Sequence, residues 1–144
     1  HTNDAISSIT RLIDMGVEPF LVASSVVMLC AQRLARKICL KCRKPIEIPE
    51  DFLKKIGFTG KANFYTASGC KYCNNTGFYG RIAILEAVII NDELRDMIIE
   101  KKPIDYIKKY AQEKGMMTLR DDAFLKVKQE LTTLDEAIRI TSEE

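Results

Sequence analysis

The sequence lacks several features that mark large classes of proteins. It has no tryptophan and one histidine, and its seven glycines and four prolines in 144 residues are too few for a fibrous or linker-like chain. Its longest apolar stretch, residues 19–31, contains two serines and is shorter than the roughly 20 residues that cross a bilayer. No basic region followed by an apolar core opens the chain, so we expect no signal peptide.

Catalytic signatures are also missing from these residues. The sequence contains no G-x-x-x-x-G-K-[ST] phosphate loop, no G-x-G-x-x-G, no H-E-x-x-H and no G-x-S-x-G, which are the motifs of common nucleotide sites, zinc proteases and serine hydrolases. We therefore expect the 144 residues alone to catalyse no reaction. Because the chain opens on His1 and not on methionine, we expect it to be a fragment of a longer protein.

The composition is that of an ordinary globular protein. Apolar residues make up 47% and charged residues 29%, which argues against wholesale disorder. The net charge of +2, from 22 basic and 20 acidic residues, excludes a strongly cationic or polyacidic chain. The basic stretch of residues 33–44 could touch nucleic acid, but the remainder is not basic, so we expect no direct nucleic-acid partner.

The apolar pattern predicts a mixed α+β fold. A first helix places Ile6, Ile9 and Ile13 on one face, with Asn3 or Asp4 as its cap. A second, almost wholly apolar helix is predicted over residues 20–38. Short strands are predicted at 63–67 and 81–90, and four helices follow from residue 92, the last of them opened by a capping box at Thr133.

Four of the five cysteines form two C-x-x-C pairs separated by 27 residues. Four thiolates at this spacing are typical of a tetrahedral zinc site, and because they leave no open position the zinc would be structural. Iron in the same geometry, or metal-free buried or redox cysteines, remain alternatives. The fifth cysteine, Cys30, is predicted to be a small core residue. The predicted zinc ligands are Cys39, Cys42, Cys70 and Cys73.

Several motifs in order resemble one family, the ATPases of type II secretion and type IV pilus assembly. Residues 1–5 (HTNDA) resemble the end of its histidine box, and residues 30–34 (CAQRL) resemble a stretch that follows it. The two cysteine pairs resemble its metal-binding insert. The remaining matches are GRIAILE at 80–86, GMMTLRDD at 115–122 and TTLDE at 132–136.

The resemblance implies a part of a hexameric cytoplasmic ATPase that works peripherally at the inner membrane. It implies a RecA-like domain whose phosphate loop and Mg²⁺ site lie upstream, so ATP and Mg²⁺ would bind only in the full-length parent. It also implies that His1 is the box histidine near the γ-phosphate and that the four paired cysteines hold zinc. The implied partners are inner-membrane platform proteins or the cytoplasmic domains of a secretion or pilus machine.

The sequence patterns and the family resemblance together predict how the chain is organised. Residues 1–38 would be the last helices of a RecA-like α/β core, 39–80 a small zinc knuckle with short strands, 81–90 a core strand, and 91–144 a C-terminal helical bundle. The alternative hypothesis is a free-standing zinc adaptor that binds protein or nucleic acid. A phosphate loop encoded upstream of His1 would favour the ATPase, and a start codon near His1 would favour the adaptor.

Overall fold

The computed structural model describes residues 3–142, which combine helices and strands as the predicted α+β class requires. In chain order the elements are α1 (Ser7–Asp14), α2 (Pro19–Ser25), β1 (Met28–Ile38), β2 (Arg43–Ile46), α3 (Glu50–Lys55), β3 (Phe64–Ala67), a 3₁₀ turn (Lys71–Cys73), β4 (Phe78–Ile89), α4 (Asp92–Ile99), α5 (Ile104–Glu113), α6 (Leu119–Lys128) and α7 (Leu134–Thr141).

Within the described residues the strands form two sheets of two strands each, β1 with β4 and β2 with β3. Strands β2 and β3 are antiparallel, with Arg43 opposite Ala67 and Ile46 opposite Phe64. The N–H of Cys39, just after β1, donates to the carbonyl of Gly77, just before β4. This bond brings the end of one long strand to the start of the other, as in an antiparallel pair.

The helix predicted over residues 20–38 is wrong for most of its length. Helix α2 ends at Ser25, and from Met28 the chain is a strand whose side chains alternate between exposed and buried. Leu29, Ala31 and Ala35 are buried, whereas Cys30 is exposed, so the prediction that Cys30 lies in the core is wrong as well. A period of two explains both errors, because alternate side chains of a strand point to opposite faces.

The other predicted elements agree with the structure to within a few residues. The Asp4 carboxylate accepts a hydrogen bond of 2.8 Å from the N–H of Ser7, the first residue of α1. Thr133 caps α7 by accepting from the N–H of Glu136 at 3.1 Å. Both bonds satisfy helix N–H groups that have no partner inside their helix.

The chain divides into two compact units. The first comprises residues 3–32 and 85–119 of the described part. In it Arg95 of α4 donates to the Ala23 carbonyl at the end of α2, and Lys108 of α5 pairs with Asp4 at 2.7 Å. Its buried apolar residues include Ile6, Ile9, Val22, Leu29, Val88, Leu94, Ile98, Ile107 and Ala111.

The second unit comprises residues 33–84 and 120–142 and contains the four paired cysteines. Three phenylalanines pack at its centre: the ring centroid of Phe58 lies 5.2 Å from that of Phe64 and 5.0 Å from that of Phe124. The other buried apolar residues of this unit include Ala35, Ile38, Ile84, Ala123, Val127, Leu134, Ala137 and Ile140. Across residues 3–142, no helix combines the length and the hydropathy that a membrane crossing requires.

Candidate metal centre

The sulfur atoms of all four paired cysteines converge on one point in the second unit. Every one of these atoms lies within 4.8 Å of the other three. The Sγ–Sγ distances are 3.9 Å for Cys39 to Cys70, 3.9 Å for Cys42 to Cys73 and 3.7 Å for Cys70 to Cys73. A tetrahedron of sulfurs at the Zn–S bond length has edges of about 3.8 Å. The donor set and its spacing therefore fit zinc.

The first cysteine pair lies in the turn that joins β1 to β2. The carbonyl of Cys39 accepts from the N–H of Arg43 at 3.1 Å and, more weakly, from that of Cys42 at 3.4 Å. The N–H of Cys39 donates to the Gly77 carbonyl at 2.9 Å. The bond from Cys39 to Gly77 joins the first turn to the second, so the two cysteine pairs face each other although they lie far apart in the sequence.

The second pair is built on the 3₁₀ turn, and its backbone donors point at sulfur. The N–H groups of Cys70 and Gly77 lie 3.2 Å and 3.3 Å from the Cys73 Sγ. Asn74 and Asn75 follow with φ of 51° and 60°, a left-handed conformation that asparagine tolerates better than most residues. Two residues of this kind in succession reverse the chain and bring the Gly77 N–H back to the sulfur.

Gly69 is required where the second turn begins. Its φ is +90°, and a Cβ there would lie 2.6 Å from the Asn75 carbonyl oxygen. Gly77, with φ of +78°, would place a Cβ 3.0 Å from the carbonyl oxygen of Ala67. Glycine adopts this conformation without steric cost and leaves room for the close backbone approach. The glycines on each side of the second pair thus shape the turn.

The protein environment acts differently on individual thiols. Burial and a hydrogen bond with Cys39 raise the pKa of the Cys42 thiol to about 12. Burial also raises the pKa of Cys73, but the N–H donors of Cys70 and Gly77 outweigh it and lower that pKa to about 6. These two N–H donors therefore favour the thiolate form of Cys73, which is the form that binds metals.

Hydrogen bonds join the end of β1 to α7 and to the residues just before α7. The sequence patterns did not predict this arrangement. The Glu136 side chain is fully buried and accepts from the Arg36 N–H at 3.0 Å and from the Arg36 guanidinium at 2.8 Å and 3.1 Å. The Thr132 hydroxyl donates to the Arg36 carbonyl at 2.8 Å, and the Ile38 N–H donates to the Leu131 carbonyl at 3.0 Å. Together these bonds fix the strand immediately before Cys39.

Two arginines near the cysteines therefore have other partners. Arg36 binds Glu136, and Arg43 pairs with Glu130 at 3.2 Å. The Arg43 guanidinium also lies over the ring of Tyr65, 4.3 Å from its centroid. From the sequence alone, the basic residues near the cysteine pairs would favour the thiolates by their positive charge.

Two further residues of interest are His1 and Glu86. The predicted nucleotide-site residue His1 is outside the described residues. Glu86 is only 2% exposed and accepts from the backbone N–H groups of Ala5 at 2.8 Å and Leu119 at 3.1 Å. From the sequence alone, this glutamate of the strand predicted at 81–90 would pair with Arg81 or with another neighbour, or would lie at an exposed strand edge. A charged residue within an apolar strand was the available signal, but it did not name the partners.

Comparison with known proteins gives the family. Residues 1–139 match the family described as type II/IV secretion system protein, and the chain belongs to that family. It is 40% identical over 147 aligned residues to the type IV pilus assembly ATPase PilB of Thermus thermophilus, with 99% of this chain and 16% of the relative covered.

Two further relatives come from secretion systems. The chain is 40% identical to the type II secretion system protein HxcR of Pseudomonas aeruginosa, over 98% of this chain and 27% of the relative. It is 37% identical to the type II secretion system ATPase E of Vibrio cholerae, over 99% of this chain and 29% of the relative. The chain thus spans less than a third of each of these proteins.

Proposed function

We propose that this chain is the part of a type II secretion or type IV pilus assembly ATPase in which a structural zinc ion shapes a docking module. Cys39, Cys42, Cys70 and Cys73 would hold the ion. The convergence of four sulfurs at tetrahedral spacing is the observation that carries the proposal. Four protein ligands leave no position for substrate or water, so the zinc acts on shape and not on chemistry.

In this proposal ATP hydrolysis belongs to the complete ATPase. The 144 residues contain no phosphate loop, and the nucleotide, Mg²⁺ and a RecA-like core would be supplied by the rest of the protein. The family resemblance supports a hexamer in the cytoplasm at the inner membrane and a role for His1 near the γ-phosphate. Membrane platform proteins or cytoplasmic domains of the machine would be its partners.

Zinc content tests the proposal directly. We expect one zinc ion per chain in freshly purified protein, and loss of that zinc in Cys39→Ser and in Cys73→Ser, because three thiolates hold the ion less tightly than four. Cys30→Ser is the matched control, since Cys30 is exposed and outside the cluster, and it should keep the zinc. Metal-free protein with cystines in place of thiols would contradict the proposal.

ATPase activity tests the second part. We expect the 144 residues alone to show no turnover of Mg-ATP, because they contain no phosphate loop. The complete ATPase should hydrolyse ATP under the same conditions. Turnover of Mg-ATP by the 144 residues themselves would contradict the proposal that hydrolysis requires the rest of the protein.

A further inference from the structure

The surface beside the cysteine cluster carries exposed aromatic and basic side chains. Tyr72 is 53% exposed and Tyr79 is 56% exposed, and their ring centroids lie 4.5 Å apart. Tyr72 is part of the 3₁₀ turn between Cys70 and Cys73. The four-sulfur site therefore fixes the position of one ring, and that ring packs against the other.

Basic and apolar residues lie next to this pair or in the turn between Cys39 and Cys42. Lys71 precedes Tyr72 and is exposed. A methyl group at Gly80 would lie 3.8 Å from the Lys37 Cδ, so the lysine stem passes beside the residue after Tyr79. Leu40 is 69% exposed and follows Cys39. We call this surface the tyrosine face; its members are Lys37, Leu40, Lys41, Lys71, Tyr72 and Tyr79.

The charge around the tyrosine face is of one sign. No aspartate or glutamate occurs between Glu18 and Glu47, or between Asp51 and Glu86. Lys37, Lys41 and Lys71 have no ion-pair partner within residues 3–142. Four thiolates around a divalent ion leave a net charge of −2. Segments 33–46 and 64–84 contain more than two basic residues even when Arg36 and Arg43, which have ion-pair partners, are left out.

We propose that the tyrosine face docks an acidic segment of another protein, one that carries carboxylates beside an apolar side chain. Tyrosine is enriched among residues that dominate binding energy, and unpaired lysines around a rigid aromatic pair attract and orient carboxylates. The inference rests on the proposed function, because a bound zinc is what makes the 3₁₀ turn rigid. Rigidity before binding reduces the entropy that association would otherwise lose.

A second copy of the chain and a membrane fit this surface less well. The helices over residues 91–142 contain acids, but each mixes them with lysine or arginine, and Glu130 and Glu136 are already paired. Protein segments that bind anionic lipid generally carry clusters of about four to eight basic residues next to an apolar anchor. The tyrosine face offers three lysines, two phenols and a single aliphatic side chain, Leu40.

Site-specific photocrosslinking in cells tests this assignment. The photoreactive residue p-benzoylphenylalanine is placed at Tyr72 or at Tyr79 of the full-length protein, and the attached peptide is identified by mass spectrometry. Tyr106 is the matched control, because it is 56% exposed and lies in the other unit. We expect an adduct from positions 72 and 79, absent from position 106, on a peptide of another protein that is rich in Asp and Glu and has an apolar side chain.

Charge reversal provides the second readout. Lys41→Glu combined with Lys71→Glu should lower the adduct yield about tenfold and weaken binding of a synthetic peptide with the captured sequence to a similar degree, because like charges then meet. Lys109→Glu, in α5, is the control and should change neither. A captured segment without an acidic excess, an adduct with a second copy or with lipid, no adduct above the control, or no effect of charge reversal would each overturn the assignment.

Zinc content separates the two proposals. If the protein holds one zinc per chain and the tyrosine face fails these tests, the docking assignment falls and the proposed function stands. If the protein holds no zinc, the proposed function fails independently of the crosslinking result. The crosslinking variants keep all four cysteines, so each should contain as much zinc as the unaltered protein.

Discussion

Two buried glutamates join segments that lie far apart in the sequence. Glu86, in β4, accepts from the backbone N–H groups of Ala5 and Leu119. Glu136, in α7, accepts from Arg36 and from Arg139. A buried carboxylate is costly unless its oxygens are hydrogen-bonded. The contacts of Glu86, and those of Glu136 with Arg36, join distant chain segments, whereas Arg139 lies one turn along the same helix. Both residues are therefore expected to contribute to stability.

The Glu136 carboxylate predicts a component of stability that is sensitive to acid. Burial raises its pKa, but the hydrogen bonds and charges of Arg139 and Arg36 outweigh this and lower the pKa from 4.5 to about 2. The stabilisation is present in full above pH 4.5 and is lost as the pH falls towards the folded-state value. Since both arginines are about half exposed and solvent screens them, we expect about 2 kcal/mol.

Urea unfolding of the unaltered protein and of Glu136→Gln between pH 7 and pH 3 measures this component. The difference in unfolding free energy should be largest at pH 7 and should shrink below pH 4.5, whereas acid release of zinc affects both proteins and cancels in the difference. Asp135→Asn, which changes an exposed carboxylate in the same helical turn, should cost much less. A difference that stays constant with pH would show that the ion pairs contribute nothing.

Replacement of Glu86 by glutamine tests its two backbone contacts. The amide can accept one N–H with its oxygen, but its NH₂ group then faces the other N–H, and an unsatisfied buried donor costs about 1–3 kcal/mol. We expect Glu86→Gln to lower the unfolding free energy by that amount in thermal or urea denaturation. Glu93→Gln, at an exposed position of α4, should be nearly neutral; an equal effect of both changes would contradict the role assigned to Glu86.

At the scale of elements, the conformation of a few turn residues determines the geometry of the cysteine cluster. The Gly69 φ of +90° and the left-handed Asn74 and Asn75 bend the chain so that two backbone N–H groups reach the Cys73 sulfur. Zinc affinity should therefore depend on residues that do not bind the ion. Such outer contacts commonly tune metal sites by orienting the ligands.

Gly69→Ala should weaken zinc binding. A Cβ at this position meets the Asn75 carbonyl oxygen at 2.6 Å, which forces the turn to move as well as straining φ. Gly57→Ala is the control, because Gly57 has a φ of +78° but no atom within 4 Å of the added Cβ. Competition with a chromophoric chelator should show weaker zinc binding for Gly69→Ala alone; equal affinities of the two variants would refute the steric argument.

At the scale of the molecule, the second unit has a phenylalanine cluster and the first unit a separate set of buried aliphatic residues. The cysteine cluster belongs wholly to the second unit. The contribution of zinc to stability should therefore be local. Metal sites of this kind add their binding free energy to the folding of the segments that supply the ligands.

Removal of zinc by a chelator should increase amide hydrogen exchange selectively. The N–H groups of Cys39 and Gly77 should lose protection, because the first bonds the two cysteine turns together and the second donates to the sulfur of Cys73, a proposed ligand. Amides of α5 in the first unit, such as that of Lys114 bonded to the Tyr110 carbonyl, serve as the internal control and should change little. Equal loss of protection in both units would show that the ion is not a local staple.

The sequence alone determined the features that depend on residues close together in the chain. The two C-x-x-C pairs predicted the four cysteines whose sulfurs meet, and Asp4 and Thr133 marked the starts of helices. Local turn and capping rules act over a few residues, so a single sequence can reveal them. The motifs also pointed to the family that comparison confirmed.

Features that depend on residues far apart in the sequence were determined only by the tertiary structure. The apolar stretch from Met28 became a strand because it pairs with β4, about fifty residues later, and this pairing outweighed its helical appearance. The buried positions of Glu86 and Glu136 depend on N–H and guanidinium groups 33 to 100 residues away. Such contacts form only when the chain has folded, so no local sequence pattern predicts them.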